Sequence, residues 1–450
     1  VHVTAVGKRC QRLAQDVHAY LDRGRAPRGI DAGVPPDARL LDAARRRVER
    51  MLAEDVLPFW TRHTWDEPHG GFITHLDRAG RPLGPTHKGL VGQARLVWTL
   101  AAAHRHGLVD RGYLDLAERG VRFLTERMWD ERHGGFVLRV RRDGHVLDAR
   151  KDVTAHAYVL HALGECAAAT GDPSVLRWAE RIFDLLERRA SDGVLGYASW
   201  FERDWSPPAD RSLTGKRVGT HMHLMAAFGT LLECSARPPV RAALARVVDL
   251  LLGHAIDPRR GSVVEGFDHA WRARTSGGGP RIASYGHGAE LAWLVLDALD
   301  RLARPRRTHE PRLLGLVDHA LDHGFDWRRG GVALYGPPAG RVTRAIYLSP
   351  RRLRKVWWPQ AELLVALAEA YGRSRAPRYW RALERQLDWI EHRQADPLGG
   401  DWFESVSWRG RPLTLVKGHD SKEPYHHGRA LMRTARVLGA LAAAEADASR

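Results

Sequence analysis

Cysteine is scarce: Cys10, Cys166 and Cys234 are the three in 450 residues. They lie far apart, the number is odd, and no metal-ligand spacing links them. A disulfide framework is therefore not expected, and this usage suits a reducing, cytoplasmic setting. Long apolar runs are missing too. No stretch of about 18 apolar residues exists, so no membrane-spanning helix is expected. The first twenty residues contain no apolar h-region, so no secretory leader is expected. Nucleic-acid-binding motifs are also lacking. The net charge of +17 comes from basic residues spread along the chain, mostly arginine. A compositional arginine bias explains that charge better than a nucleic-acid partner does.

What the chain does have is a core and a repeat. Hydrophobic residues make up 44%, enough for a sizeable interior, and the 16 tryptophans suit both cores and sugar sites. Residues 1–38 read as peripheral: a short amphipathic helix at Cys10–Leu21, then an Arg-, Gly- and Pro-rich linker to Asp37. From about Leu40 apolar residues recur at three- and four-residue steps, as in Leu40–Thr61, Lys88–His106, Gly112–Met128 and Asp152–Thr170. Strand-like alternation is confined to short pieces near glycine turns, such as Gly135–Val140.

Those turns repeat. Trp65-Asp66-Glu67-Pro68-His69-Gly70-Gly71-Phe72 returns as Trp129-Asp130-Glu131-Arg132-His133-Gly134-Gly135-Phe136, with weaker copies at Ser191, Asp257, Trp327 and Asp396. The marker glycines Gly71, Gly135, Gly196, Gly261, Gly331 and Gly400 are 64, 61, 65, 70 and 69 residues apart. Each of the six units holds one helix before its turn and one after it. Six such hairpins bury their apolar stripes against one another, either in an open superhelix or in a closed ring. The near-constant period and the stop after six units favour closure: an all-α (α/α)6 barrel over residues 39–450.

The register then selects candidates. Arg95 lies 24 residues after its marker glycine, His156 21, His223 27, His287 26, Trp358 27 and His426 26. Similar offsets imply similar heights on the second helix of each unit, and hence convergence at one mouth. Histidines there suit proton transfer near pH 7. His287 and Glu290 are three apart, and Trp358 and Glu362 four apart, so each pair shares a helix face. His221 and His223 point roughly 200° apart on a helix, and the register puts His223 inward. A metal held by the His221/His223 pair with His287, Glu290 and His426 is conceivable from residue type, but no tight motif such as His-Glu-x-x-His occurs. A glycoside hydrolase would need two carboxylates across the scissile bond. Glu290 and Glu362 are the only obvious inward pair, and that reading leaves three histidines unused.

Five stretches carry a resemblance: Gln93-Ala94-Arg95; His221-Met222-His223-Leu224; Gly286-His287-Gly288-Ala289-Glu290; Lys355-Val356-Trp357-Trp358-Pro359-Gln360-Ala361-Glu362; and Lys422-Glu423-Pro424-Tyr425-His426. In this order the chain resembles the N-acylglucosamine 2-epimerase family, which includes cellobiose 2-epimerases and aldose–ketose isomerases. The resemblance implies an (α/α)6 barrel, a small-molecule sugar as partner, and chemistry without metal or other cofactor. It implies that His287 and His426 are the acid/base pair and His223 a third active-site histidine. Arg95 would steady the sugar oxygens, with Glu290, Trp358 and Glu362 lining the site and His156 a weaker candidate. The chain departs from the disaccharide epimerases at Gly219, where asparagine is usual, at Ser421, where they carry tryptophan, and at Thr154, where tyrosine is common. These departures point to aldose–ketose isomerisation of a monosaccharide, mannose with fructose, ahead of 2-epimerisation. The expected assembly is a monomer or homo-oligomer.

Overall fold

The computed structural model describes residues 35–84, 86–108, 112–274, 282–337 and 354–449. The helix expected at Cys10–Leu21, and all but the last residues of the linker, lie outside them. Among the described residues there are twelve helices. Six are buried on nearly all sides over most of their length: α2 (Leu90–Arg105), α4 (Val153–Thr170), α6 (Val218–Cys234), α8 (Tyr285–Arg301), α10 (Trp357–Ser374) and α12 (Tyr425–Ala448), whose last turns are exposed. A helix that is apolar on most sides is a core helix. Each of these packs on the next, and α12 packs back on α2, so they form a closed inner ring.

The other six are amphipathic and lie outside: α1 (Ala38–Arg50), α3 (Tyr113–Phe123), α5 (Pro173–Arg189), α7 (Pro238–Leu250), α9 (Glu310–His323) and α11 (Pro377–Trp389). In α1 the buried positions Leu41, Ala44 and Val48 follow three- and four-residue steps, so one stripe faces inward. This helix continues through a wide π turn at Met51–Val56 to Leu57–His63. Pro58 cannot donate the usual backbone bond there, which suits the local widening. The last inner helix, α12, packs on α1 and so ties the first outer helix into the barrel. No helix of the described residues is long and apolar enough to cross a membrane.

Every marker glycine has positive φ, from 62° at Gly261 to 98° at Gly196, a region that suits residues without Cβ. After every turn but the first, where Leu76 makes an isolated bridge, comes a short strand. It pairs antiparallel with the strand that leads into the preceding inner helix, as Arg139–Val140 does with Lys88–Gly89 and Ser405–Val406 with Lys355–Val356. These ribbons ring one end of the barrel. They also cap helices: the first N–H groups of α2, α4, α6 and α10 donate to the carbonyls of Leu138, Ser199, Glu265 and Glu404 at 3.0–3.1 Å. Orphan amides at helix starts need such acceptors.

Lysine normally stays in water. Here Lys88, Lys151, Lys216, Lys355, Lys417 and Lys422, every lysine among the described residues, are buried. They pair with turn aspartates: Lys88–Asp66 at 2.9 Å, Lys151–Asp130 at 3.0 Å, Lys216–Asp192 at 2.6 Å, Lys355–Asp326 at 3.5 Å, Lys417–Asp396 at 3.0 Å and Lys422–Asp401 at 2.5 Å. Positive charge at the surface is left to arginine. These pairs lock five of the six glycine turns to the start of the next inner helix, two of them at the Gly400 turn and none at the Gly261 turn, and so help set the height at which those helices present their side chains.

Candidate active site

The inner helices all begin at the ribbon end, so residues at equal counts from their starts lie at equal depth. The sixth residue is Arg95 in α2, Tyr158 in α4, His223 in α6, Glu290 in α8 and Glu362 in α10; α12 is set one residue back and supplies Arg429. These six form a hydrogen-bonded layer across the barrel axis. Arg95 bonds the Tyr158 hydroxyl and Glu423, and the Tyr158 hydroxyl lies 2.6 Å from His223 Nε2. On the other side, Arg429 Nη2 donates to Glu290 Oε1 at 2.6 Å and Glu362 Oε1 at 2.7 Å. Trp293 Nε1 donates to the other Glu362 oxygen at 2.9 Å.

Above this layer sit His287, Trp358 and His426. His426 Nδ1 is 2.6 Å from Glu362 Oε1, which orients the ring and leaves Nε2 3.2 Å from Arg95 Nη2. The Trp358 ring centroid is 4.8 Å from that of His287 and 5.8 Å from that of His426, so one indole separates the two imidazoles. Gly286 allows this: a Cβ there would come within 2.5 Å of the Trp358 ring. His287 starts α8, whose cap Ser284 accepts from the His287 amide. Its side chain is 28% exposed, while that of His426 is 8% exposed.

Electrostatics split the two histidines. Burial pushes His426 down, and the cations Arg95 and Arg429 reinforce this against the pull of Glu290, so it stays neutral well below its usual pKa. Burial also opposes charge on His287. Glu265, whose Oε1 is 2.8 Å from Nδ1, outweighs it, helped by Glu290 and Glu362, and the pKa rises to about 9. His223 is held neutral by burial and then by Arg95 and Arg429. Burial opposes the charge of Arg95 as well, yet Glu423 and Tyr158 hold its pKa above the usual range. One end of the barrel therefore holds an imidazole kept neutral, an imidazole that favours its cationic form and a fixed guanidinium.

The structure thus brings together Arg95, His223, His287, Glu290, Trp358, Glu362 and His426. It does not bring His156 to them. His156 is the fourth residue of α4, equivalent to Gln93, His221 and Gln360. These clamp the residue after a marker glycine: the amides of Phe72, Phe136, Tyr197 and Val332 donate to Gln93, His156, His221 and Gln360 at 2.7, 2.9, 3.1 and 2.8 Å. The other nitrogen of His156 lies 2.7 Å from the Asp152 carbonyl, so both are used by the fold. Its offset from Gly135 was misleading because the loop between turn and helix varies in length. Tyr158 was missed for the same reason; Glu265, Glu423 and Arg429 lie outside the positions that the register compares. Counting from the lysine two residues before an inner helix would have found Tyr158 alongside Arg95 and Glu362.

Donor atoms of Glu290, Glu362 and His426 lie within 4.8 Å of one another. The positive charge they surround is the guanidinium of Arg429. Beneath it a separate cavity of about 250 Å³ opens toward the far end of the barrel, lined by Trp98, His161, Trp293 and Arg433, with Arg429 as the shared wall.

A pH prediction arises from Glu265. Turnover that needs protonated His287 should be level through neutral pH and fall as pH rises past about 9. Glu265→Gln removes the charge that raises the imidazole, so the alkaline limb should move to lower pH by about one unit or more. The profile of kcat/KM against pH checks this. An unmoved limb would mean that it belongs to another group.

The chain is thus a closed barrel of six helical hairpins with a cluster of histidines at its ribbon end. The family model described as N-acylglucosamine 2-epimerase matches residues 71–430, and the chain belongs to that family. It is 26% identical over 404 residues to cellobiose 2-epimerase of Bacteroides fragilis, covering 86% of this chain and 97% of that one. The solved cellobiose 2-epimerase of Spirochaeta thermophila superposes with a TM-score of 0.78 at 28% identity, covering 89% and 98% of the two chains. A D-mannose isomerase structure shares the fold at a TM-score of 0.74 and 19% identity, over 90% of this chain and all of the other, 100%. The protein is an enzyme of the isomerase class, which displaces the hydrolase alternative.

Proposed function

We propose that this chain interconverts an aldose with its ketose through an enediolate, with mannose and fructose the leading pair. The observation that carries the reading is the placing of two histidines beside one indole in unlike surroundings: His426 between Glu362 and Arg95, where burial favours its neutral form, and His287 against Glu265, which favours its cationic form. A proton next to a sugar carbonyl is weakly acidic. Removing it requires a free lone pair and positive charge near the developing oxyanion. His426 Nε2 supplies the first; Arg95 and His287 supply the second. All three come from the chain, so the step needs no cofactor.

The asymmetry also bears on the product. If His426 takes the C2 proton and delivers it to C1, it ends the turnover neutral, as it began. Two-base epimerisation would end with His426 protonated and His287 neutral, against the order that burial, Arg95 and Glu265 impose. The mouth supports a small substrate. A Cβ at Gly219 would meet nothing within 4 Å, and Ser421 is exposed, so neither offers a stacking face for a second sugar ring.

The second reading is 2-epimerisation of an N-acylglucosamine or a disaccharide. Its support is that both histidines touch Trp358, as proton transfer at two faces of C2 would need. Mannose incubated in deuterated water and followed by NMR separates the readings. Fructose labelled at C1 is expected, with less label where His426 returns the original proton. Glucose formed first, without fructose, would favour epimerisation. No exchange with mannose, glucose, fructose, cellobiose or N-acetylmannosamine would sink both.

A further inference from the structure

At the ribbon end, outside the histidine site, the segment after Gly71 meets the loop before α12. Leu76 and Gly418 form an antiparallel bridge there. The bridge brings His75 and His87 of the first segment to Asp420 of the second. His87 Nε2 lies 2.9 Å from Asp420 Oδ1 and 3.1 Å from Oδ2. His75 Nε2 lies 3.6 Å from the same Oδ1. The two imidazole centroids are 4.9 Å apart, inclined at 66°. One donor atom from each residue falls within a 4.8 Å set.

We propose that His75, His87 and Asp420 form a binding site for a divalent transition-metal ion of the zinc type, which staples the two segments together. Four ligands around zinc at about 2.0–2.1 Å are mutually about 3.3 Å apart. The contacts of 2.9 and 3.6 Å to Asp420 Oδ1 bracket that spacing. Two imidazoles and one carboxylate suit zinc, cobalt or nickel, whereas magnesium and calcium prefer oxygen alone. The side chains are 18%, 13% and 40% exposed, so an ion has access and a fourth position stays open to water. Arg139 Nη2 is 3.6 Å from Asp420 Oδ2, placed to orient the carboxylate.

The staple would join two parts of the proposed centre. One segment leads into α2, which carries Arg95. The other leads through Glu423, the partner of Arg95, into α12 with His426. The ion would hold these elements in place and take no part in proton transfer, so the site does not depend on which sugar is turned over.

The test uses the full chain without an affinity tag, stripped with chelator. Titration with zinc chloride by calorimetry should show one ion per chain with micromolar affinity. Saturating zinc should raise Tm by roughly 2–5 °C. Asp420→Asn and His87→Ala should each weaken binding at least tenfold, while circular dichroism reports an intact helical fold. His426→Ala, which removes a ligand from the other histidine–carboxylate cluster, should bind zinc as wild type does. No binding by the wild-type chain, unchanged binding in Asp420→Asn and His87→Ala, or loss confined to His426→Ala would each overturn the proposal.

Discussion

Replacing His426 by alanine should lower kcat by about 10²–10⁴ while leaving the helical fold in place. The substitution removes the imidazole whose Nε2 lies 3.2 Å from Arg95 Nη2. Glu362 would keep its bonds to Arg429 and Trp293, so no carboxylate is stranded. His287→Ala should cost a similar factor by removing the acid. Because the two act on one proton path, the double variant should lose far less than the product of the single losses. Steady-state kinetics with mannose, and binding of its unreactive sugar alcohol, separate chemistry from affinity. Turnover within tenfold of wild type in His426→Ala would remove that residue from the mechanism.

The largest effect on stability is expected at Arg429. This side chain is buried and balances two carboxylates, Glu290 and Glu362. Its guanidinium carbon also lies 4.8 Å from the centroid of the Trp293 ring. Removing one partner of a buried ion pair leaves uncompensated charge and costs about 3–5 kcal/mol. Arg429→Met should therefore lower the urea midpoint strongly. The deficit should shrink toward pH 5, because protonating either carboxylate relieves the repulsion that methionine leaves behind. A folded state that binds more protons than the unfolded one loses stability as pH rises, which gives that sign. Arg429→Lys keeps the charge and should lose less. A deficit under about 1 kcal/mol in Arg429→Met, unchanged with pH, would contradict the assignment.

The repeat was readable because each turn needs glycine at positive φ and each helix needs an apolar pattern. Both requirements leave marks in a linear sequence. Twelve helices and a closed ring followed from those marks. His287, Glu290, Trp358 and Glu362 were legible because helical spacing puts them on shared faces. Arg429 was not: its role comes from Glu290 and Glu362 on two other helices, and an arginine followed by Ala-Leu-Met looks like any helix surface. Glu265 was hidden because it lies on a ribbon, beyond reach of helical periodicity. His156 misled because an imidazole that accepts a backbone amide has the same letter as one that moves a proton.

The ring closes through its last helix. Contacts of α12 with α1 and α2 join parts of the chain more than 300 residues apart, whereas the other inner helices meet their neighbours in order. On a ribosome the first five units can stack as they emerge, like a growing solenoid. Until residues 425–448 are made, that stack has an open seam with the apolar flanks of α2 and α10 uncovered. It also lacks His426 and Arg429, which α12 alone supplies. Sealing the seam and completing the proposed centre are then one event, and a chain cut before α12 is expected to be inactive and to expose those flanks.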